Sequence, residues 1–309
     1  MRHRLEYAAV VVVRGAVRVL PDAVVRQLGA LLGLGFYALD RVHRRVAETN
    51  LATAFPKQSP SDRQIITRAM FVHFGRLLLE LLKFSTLDPA GMRARIECEG
   101  RERAESAYAQ GKGVLFVTGH FGFWEIHAIG HGLELQPIGV LARALDNPYL
   151  NTLLEQVRGT TGNFVIYRHG AVRKVLRALA AGQGVAMLID QHMHSSDAIY
   201  VDFFERPAAT TSMLAALALR TGAPVVPVFA LPLPGGRYRL IYEHAVPPPD
   251  QDSPDAVREF TQRCTDVLEM YVRRHPSQWL WMHRRWRDAP LPLKTPGMFP
   301  SARADEGEE

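Results

Sequence analysis

The sequence predicts an α/β fold: a single domain with a central, mostly parallel sheet flanked by helices and preceded by N-terminal membrane-associated helices. From residue 96 onward, short apolar runs typical of buried strands alternate with segments of helical periodicity, an order that favours parallel strands joined by helices. The chain has 309 residues, of which 47% are hydrophobic, enough for one large core. We expect N-terminal helices over residues 1–43, the main domain over 44–290 and a disordered tail over 291–309.

The N-terminal region is apolar but is interrupted by arginines. Arg2 and Arg4 precede an apolar run over residues 7–13, as in a signal peptide, but Arg14 ends this run and no small-residue cleavage site follows. A second apolar stretch, residues 28–39, is shorter than the roughly 20 residues that a membrane-spanning helix needs. We therefore expect helices that lie in the membrane interface, with an ordinary amphipathic cap or one tilted span as the alternatives.

The charge balance is basic. The formal net charge is +6, although the last five residues include four acidic side chains. A basic body is suited to nucleic acid, anionic lipid or an acidic carrier protein, and the sequence shows no zinc finger, RNA-binding signature or basic repeat that would favour nucleic acid. Cys98 and Cys264 are far apart and form no CxxC pair, so neither a zinc ribbon nor a disulfide framework is indicated.

The stretch that organises the sequence is residues 113–125, GVLFVTGHFGFWE. Its apolar run, residues 114–117, predicts a strand buried on both faces, and the glycines that follow indicate a tight turn into a helix. His120 is thereby placed at the carboxyl end of a strand, where open α/β sheets bind their ligands. Glu125 begins the predicted helix, and we expect its carboxylate to reach back toward the imidazole.

The spacing of His120 and Glu125 resembles the His-x4-Asp/Glu motif of the glycerolipid and lipid A acyltransferases. In that chemistry a hydroxyl loses its proton as it attacks a thioester carbonyl. A neutral imidazole held in one tautomer by a carboxylate is suited to take this proton. A loop histidine beside a helix-capping glutamate is the alternative interpretation of the spacing alone.

Other polar residues follow other predicted strands. Arg143 follows the strand predicted at residues 138–142, and Asp190 and Gln191 follow the strand predicted at residues 185–189. Parallel strands bring their carboxyl ends to one edge of a sheet, so we expect these side chains near His120. Arg143 would clamp a phosphate of the acceptor or the phosphopantetheine of the donor, or else be a surface salt-bridge partner.

The resemblance covers about residues 44–287 and is to the lipid A late acyltransferases, of the lauroyl and myristoyl type, within the lysophospholipid and glycerolipid acyltransferase superfamily. The matching segments are Arg44-Arg45 to Phe55-Pro56, Arg143 with Asp146-Asn147-Pro148, Asp190-Gln191, FFERPAAT at 203–210, GAPVVPV at 222–228 and PSQWLWMHRRW at 276–286. One departure is Glu205, where the family usually has glycine. Its carboxylate would change which headgroup fits, or would simply face solvent.

The resemblance implies that the main domain is an acyltransferase domain. It would move a fatty acyl group from acyl carrier protein or coenzyme A to a hydroxyl of a lipid A precursor, at the cytoplasmic face of the inner membrane. Catalytic roles are implied for His120 and Glu125, with no metal and no cofactor. Substrate-binding roles are implied for Arg143, Asp190, Gln191 and Arg206. A lysophospholipid or a phosphatidylinositol mannoside is the alternative acceptor, because related families share the catalytic motif.

Transfer without a covalent intermediate is expected. The sequence has no Gly-x-Ser-x-Gly elbow, and neither cysteine lies in a histidine motif. Oxyanion donors would come from the backbone amides of residues 119–123 or from nearby side chains. Residues 71–84 predict a helix with a wide apolar face, which would border an acyl-chain groove or pack in the core.

Two patterns suggest other functions. His127 and His131 have a spacing that can share one metal, as in a hydrolase, but the glutamate of His-Glu-x-x-His is missing and structural histidines are favoured. Tryptophans and arginines alternate in the closing segment, which suits single-stranded nucleic acid, a lipid interface or a packed C-terminal segment; the last two are favoured. These residues are Trp279, Trp281, Arg284, Arg285, Trp286 and Arg287. A non-catalytic basic lipid-binding protein is the remaining alternative.

Overall fold

A computed structural model describes residues 1–194, 198–250 and 253–287, so the predicted tail over 291–309 lies outside the described residues. The helices are α1 (Arg2–Val19), α2 (Asp22–Leu39), α3 (Arg41–Ala54), α4 (Pro60–Phe84), α5 (Pro89–Arg93), α6 (Arg101–Tyr108), α7 (Trp124–Glu134), α8 (Pro148–Gly159), α9 (Ala171–Ala180), α10 (Met213–Thr221) and α11 (Ala256–Arg274). The strands are β1 (Ile96–Glu99), β2 (Val114–Thr118), β3 (Ile138–Ala142), β4 (Phe164–Tyr167), β5 (Gly184–Leu188), β6 (Ala198–Asp202), β7 (Pro207–Thr211), β8 (Val225–Leu233) and β9 (Arg237–Tyr242). A 3-10 turn, Pro276–Gln278, follows α11.

Seven strands form one sheet in the order β1-β9-β8-β2-β5-β3-β4. Strand β2 pairs in parallel with both β5 and β8, and β3 pairs in parallel with β5 and β4. Strand β9 runs antiparallel to β8 and parallel to β1. The predicted α/β fold with a mostly parallel central sheet is confirmed.

Helices cover both faces of the sheet, and β2 shows how its side chains divide between them. Val114 and Phe116 point into one core with α6 and α7, whereas Leu115 and Val117 point into a second core with α9, α10 and α11. All residues of β2 are buried, because a strand covered on both faces needs apolar side chains at successive positions.

The sequence patterns do not predict the antiparallel hairpin of β6 and β7. Its turn residues, Phe204 and Glu205, have positive φ angles of 56° and 58°, as the central pair of a type I′ turn requires. Glycine adopts this conformation most readily, which gives a physical reason for the glycine usually found at the position of Glu205 in the family. Glu205 is exposed, so its carboxylate faces solvent.

The segment rich in tryptophan and arginine packs against the body of the protein. Trp279 and Trp281 are buried, and the indole N–H groups of Trp279, Trp281 and Trp286 all donate to internal acceptors. Arg285 is also buried and donates to the carbonyl of Ala209 at 2.6 Å. Of the three interpretations of this segment, the packed C-terminal segment is the one that the structure supports.

Helices α1 and α2 expose a large apolar surface. Their exposed large apolar side chains are Leu5, Val11, Val12, Val13, Val19, Val24, Leu28, Leu31, Phe36 and Leu39. In the described part of the chain, α2 alone is long and apolar enough to cross a membrane, with a mean hydropathy of 1.2 and 22% of its residues buried.

Helix α3 begins at Arg41, so the predicted boundary between residues 43 and 44 falls inside a helix.

Helix α2 crosses α4 where the two backbones approach closely. A Cβ atom at Gly33 would lie 2.2 Å from the carbonyl oxygen of Phe71, and one at Gly75 would lie 2.3 Å from that of Gly29. Only glycine leaves room for this contact.

Helix α4 also reaches the core through Phe71 and Phe84, so the helix predicted over residues 71–84 is the second half of a core helix.

Gly33→Ala is expected to destabilise the protein, whereas Gly35→Ala, on the same helix, is expected to stabilise it. A methyl group at residue 33 would collide with the backbone of α4, and overpacking of this kind costs about 1–3 kcal/mol. Nothing lies within 4 Å of a Cβ atom at Gly35, and alanine is favoured over glycine in a helix by about 1 kcal/mol. Thermal unfolding of both variants measures the difference, and equal midpoints would contradict the close crossing.

Candidate active site

His120 lies in the loop that joins β2 to α7, and two glycines allow this loop to turn sharply. Gly122 has a φ of 59°, and a Cβ atom there would lie 2.1 Å from the carbonyl oxygen of Ala230. A Cβ atom at Gly119 would lie 2.9 Å from the carboxylate of Asp190. The backbone of β8 and the side chain of Asp190 therefore press directly on the loop, which fixes the position of His120.

The imidazole of His120 is held by Asp190, which follows β5. The Nδ1 atom of His120 lies 2.8 Å from Oδ1 of Asp190, and the backbone N–H of His120 donates to Oδ2 at 2.6 Å. Because a carboxylate accepts hydrogen bonds, Nδ1 carries the proton and Nε2 keeps its lone pair. The indole N–H of Trp279 also donates to Oδ2, at 2.8 Å, so three N–H groups satisfy the buried carboxylate.

The pair changes the acidity of both partners. Burial lowers the pKa of His120, but the negative charge of Asp190 and the hydrogen bond to it raise this pKa, and the net result lies above the ordinary value of 6.5. Burial raises the pKa of Asp190, but the charge and the hydrogen bonds of His120 lower it to about 2. Asp190 is therefore an anion at neutral pH, and His120 is a strengthened base.

His120 lines a cavity of about 840 Å³ at the carboxyl edge of the sheet, which we call the reaction cavity. The side-chain nitrogen of Gln191 lies 3.3 Å from Nε2 of His120 in its wall. Both helical layers contribute to the lining, for example Trp124 of α7 and Leu176 of α9. The volume is in the range of small-molecule sites, so His120 can meet a substrate here.

The structure corrects the predicted contact between Glu125 and His120. Glu125 lies in the first turn of α7, as predicted, but its carboxylate faces Arg158 of α8, with contacts of 2.6 and 3.0 Å between oxygens and guanidinium nitrogens. This bidentate pair satisfies both carboxylate oxygens and leaves the imidazole to Asp190. Glu125 and Arg158 both line the reaction cavity.

The predicted substrate-binding residues occupy different places. Gln191 and Arg143 line the reaction cavity, and Arg143 is exposed, 3.1 Å from Asp146. Asp190 is buried behind His120 instead of lining the cavity. Arg206 is exposed beside the β6–β7 turn and is not among the described residues that line the cavity.

Four of the five backbone amides that were expected as oxyanion donors, those of residues 120–123, are already occupied. The N–H groups of residues 120, 121, 122 and 123 donate to Asp190, Gly119, Gln278 and Ala230, respectively. Nearby side chains were the other expected donors, and the side-chain amide of Gln191 lies in the cavity wall beside Nε2 of His120.

Of the two histidines of α7, His131 has a structural role, whereas His127 is buried and also lines the reaction cavity. His131 is buried between the hydroxyl oxygens of Tyr108 and Tyr242, each 2.9 Å from a ring nitrogen. Burial lowers the pKa of His127 to about 3, so this ring is neutral at physiological pH. Across the described ranges, no group of three or more potential ligand side chains is close enough to hold a metal ion.

Sequence reasoning missed three residues at the site. No sequence pattern singled out Arg158 or Arg168, although both line the cavity. Trp279 belonged to a recognised motif, but no local signal shows that its indole reaches Asp190, 89 residues away. Arg158 and Trp279 make long-range contacts, which spacing along the chain does not reveal.

Comparison with known protein families gives a match over most of the chain. The family model of the bacterial lipid A biosynthesis acyltransferases matches residues 1–288. The chain belongs to this family. The resemblance found in the sequence is thus confirmed, and the protein is an acyltransferase.

Individual relatives extend over nearly the same length. The lipid A biosynthesis lauroyltransferase of Escherichia coli K12 is 30% identical over 276 residues, 88% of this chain and 88% of the relative. The myristoyltransferase of the same organism is 24% identical over 262 residues, 84% of this chain and 79% of the relative. A phosphatidylinositol mannoside acyltransferase of Mycolicibacterium smegmatis is 22% identical over 275 residues, 87% of this chain and 88% of the relative.

Asp190→Asn is expected to lower the pKa of His120. The substitution removes the negative charge that raises this pKa and keeps the burial that lowers it. A base works only when it is neutral, so the acid limb of the pH–activity profile should move to lower pH. The maximal rate should fall as well, because an asparagine NH₂ group cannot accept the N–H groups of His120 and Trp279. NMR titration of the His120 ring and the pH–rate profile test this.

Two matched variants serve as controls. Glu125→Gln leaves Asp190 in place and should change the pKa of His120 less than Asp190→Asn does. Asp146→Asn, at an exposed carboxylate, should leave it unchanged. If Glu125→Gln changed the pKa of His120 more than Asp190→Asn did, Glu125 and not Asp190 would be the carboxylate that sets this pKa.

Proposed function

We propose that this acyltransferase moves a fatty acyl group from an acyl thioester to a hydroxyl of a lipid A precursor, with His120 as the general base. The observation that supports this is that His120 lines the reaction cavity while its Nδ1 is held by Asp190, which leaves Nε2 for the substrate. Asp190 is therefore proposed as the orienting carboxylate. Glu125 is proposed to position Arg158 in the cavity wall.

The proposed reaction proceeds in two steps without an acyl-enzyme. Nε2 of His120 takes the proton of the acceptor hydroxyl as its oxygen attacks the thioester carbonyl carbon. The tetrahedral oxyanion then collapses, the carbon–sulfur bond breaks, and the imidazolium returns its proton to the departing thiolate. The side-chain amide of Gln191 is proposed to donate to the oxyanion.

A lipid A precursor is the proposed acceptor because the names of most of the relatives refer to lipid A biosynthesis. The cavity wall carries arginines suited to phosphate: Arg143, Arg158, Arg168 and Arg173. A phosphatidylinositol mannoside is the second candidate, favoured by the similarity to the mycobacterial acyltransferase. A lysophospholipid is the third. The role of Arg206 in substrate binding remains a prediction.

The proposed location is the cytoplasmic face of the inner membrane. The exposed apolar side chains of α1 and α2 would lie in the interface, with the acyltransferase domain over 44–290 beneath them. Arg4, Arg18 and Arg41 are exposed on these helices or directly after them and would meet anionic headgroups.

Loss of the gene should remove one acyl chain from lipid A, and His120→Ala should fail to restore it. General base catalysis contributes about 10²–10⁴-fold to rate, so the variant should leave the under-acylated species dominant. Mass spectrometry of membrane lipids from cells complemented with wild type or His120→Ala measures this. If a mannoside or a phospholipid changed instead of lipid A, the reaction would stand with a different acceptor. Full restoration by His120→Ala would overturn the proposed base.

An acidic carrier protein is the proposed donor, because a basic patch adjoins the reaction cavity. The patch consists of exposed residues on and before α9: Arg168, His169, Arg173, Lys174 and Arg177. Arg168 and Arg173 also line the cavity. Helix α9 packs on one face of the sheet, and α4 packs on the other face. Helix α2 packs on α4. The basic patch therefore faces away from the apolar N-terminal surface. This placement favours a carrier protein over the membrane as the partner of the patch.

Lys174→Gln with Arg177→Gln is expected to raise KM for the acyl carrier protein substrate about fivefold at low salt, because two exposed ion pairs contribute about 1 kcal/mol together. Neither residue lines the reaction cavity, so turnover with acyl coenzyme A should not change. Steady-state kinetics with both donors measures this. Arg237→Gln with Arg239→Gln, on exposed positions of β9, is the matched control. Equal effects of the two pairs would contradict docking at α9.

A further inference from the structure

A second cavity, of about 590 Å³, lies on the other side of the catalytic loop from the reaction cavity. Its walls come from α2, α4 and the 3-10 turn at 276–278, with Phe123 of the loop among them. The next residue, Trp124, lines the reaction cavity instead. One segment of chain thus separates the two cavities, and none of the residues assigned above to catalysis or donor binding lines the second one.

Three arginines from two helices converge on this cavity: Arg26 from α2, and Arg68 and Arg76 from α4. One carboxylate, that of Glu80, offsets part of their charge. Its Oε1 lies 3.6 Å from Nη1 of Arg26, and its Oε2 accepts a hydrogen bond from the hydroxyl of Tyr238 at 2.8 Å. Among the residues that the structure describes, no carboxylate forms an ion pair with Arg68 or Arg76, so the cavity carries an excess of positive charge.

Three polar atoms in the cavity wall are buried and form no hydrogen bond with any described residue: Nε of Arg76, Oε1 of Glu80 and Oε1 of Gln278. Oε1 of Glu80 faces the charge of Arg26, and Nε of Arg76 is the one donor among the three. Buried polar groups in proteins are nearly always hydrogen-bonded, so an unsatisfied guanidinium N–H at the wall of an open cavity indicates an acceptor that comes from outside the chain. Rotation of the Gln278 amide would present a second donor to the same acceptor.

Much of the remaining wall is apolar, for example Ala30, Leu34, Ile65 and Val72. It continues to the exposed apolar surface, because Ile65 is 66% exposed and Leu31 of α2 is 56% exposed. We propose that the second cavity binds the phosphate headgroup of an anionic lipid, with an acyl chain along this apolar wall. Guanidinium groups match phosphate in a bidentate way, and an adjacent apolar wall distinguishes a lipid from a hydrophilic anion.

The proposed lipid site adjoins the residue that holds the catalytic loop. His73 lines the cavity, and its Nε2 lies 3.1 Å from the carbonyl oxygen of Gly122, two residues after His120. Burial lowers the pKa of His73 to about 4, so the ring is neutral and donates its Nε2–H to this carbonyl. A lipid bound in the second cavity would pack beside this contact, so its binding would affect the position of the loop that carries His120.

The test is lipid binding by the full chain in neutral detergent micelles, measured by native mass spectrometry with phosphatidylglycerol and, for comparison, phosphatidylcholine. Phosphatidylglycerol should bind at least tenfold more tightly. Arg68→Gln with Arg76→Gln should weaken its binding at least tenfold, because a hydrogen bond to a charged group is worth about one such factor or more. Arg220→Gln with Arg258→Gln, which removes the same charge from exposed positions on α10 and α11 outside the cavity, should change it less than twofold.

Three further measurements keep the outcome clear. Ala69→Phe fills the cavity without changing charge and should weaken binding even if Arg76→Gln disturbs folding. Inorganic phosphate at millimolar concentration should compete poorly; equally strong competition would show that the site takes a free anion instead of a lipid. His120→Ala should bind phosphatidylglycerol as wild type does, so this proposal stands or falls separately from the proposed reaction. Equal weakening by the two arginine pairs, or no preference for the anionic lipid, would overturn it.

Discussion

The structure of the site depends on one buried carboxylate. Asp190 accepts N–H groups from the backbone and ring of His120 and from the indole of Trp279. A charged group removed from water is tolerated only when its hydrogen-bonding capacity is met, so the loop after β2, the end of β5 and the C-terminal segment must keep their positions together. The backbone reinforces the arrangement, since the N–H of Leu280 donates to the carbonyl of His120 at 3.1 Å. The same bonds that satisfy Asp190 select the imidazole tautomer that leaves Nε2 basic.

Much of the sheet was predictable because its central strands are covered on both faces. Continuous apolar runs predicted β2, β3 and β5 within about a residue at either end, and the prediction that their ends converge near His120 was correct for Asp190 and Gln191. The order of strands was not predictable, because no local pattern shows that β5 lies directly beside β2. Asp190 was therefore predicted as a substrate ligand, although this adjacency makes it the partner of the imidazole.

The predicted contact of Glu125 shows the limit of reasoning from spacing. Five residues along the chain place its carboxylate near His120, but orientation is decided by which partner satisfies it best. Arg158 offers two N–H groups in a plane that matches the carboxylate, and this guanidinium comes from α8, 33 residues away.

The segment over residues 276–287 was ambiguous for a related reason. Its tryptophans and arginines suit several partners, and only the internal acceptors of Trp281 and Arg285 distinguish packing from binding.

The close crossing of α2 and α4 links the exposed apolar surface of the N-terminal helices to the second cavity and the catalytic loop. Because Gly33 and Gly75 let the two backbones touch, Arg26 of α2 reaches the same cavity as Arg76 of α4. A looser crossing would separate these charges and open the cavity to solvent, which would weaken their attraction for a headgroup. The basic patch of α9 lies in the layer on the opposite face of the sheet. The proposed lipid and the proposed carrier protein would then bind to opposite layers of the fold. His120 lies between these two layers, at the carboxyl ends of β2 and β5.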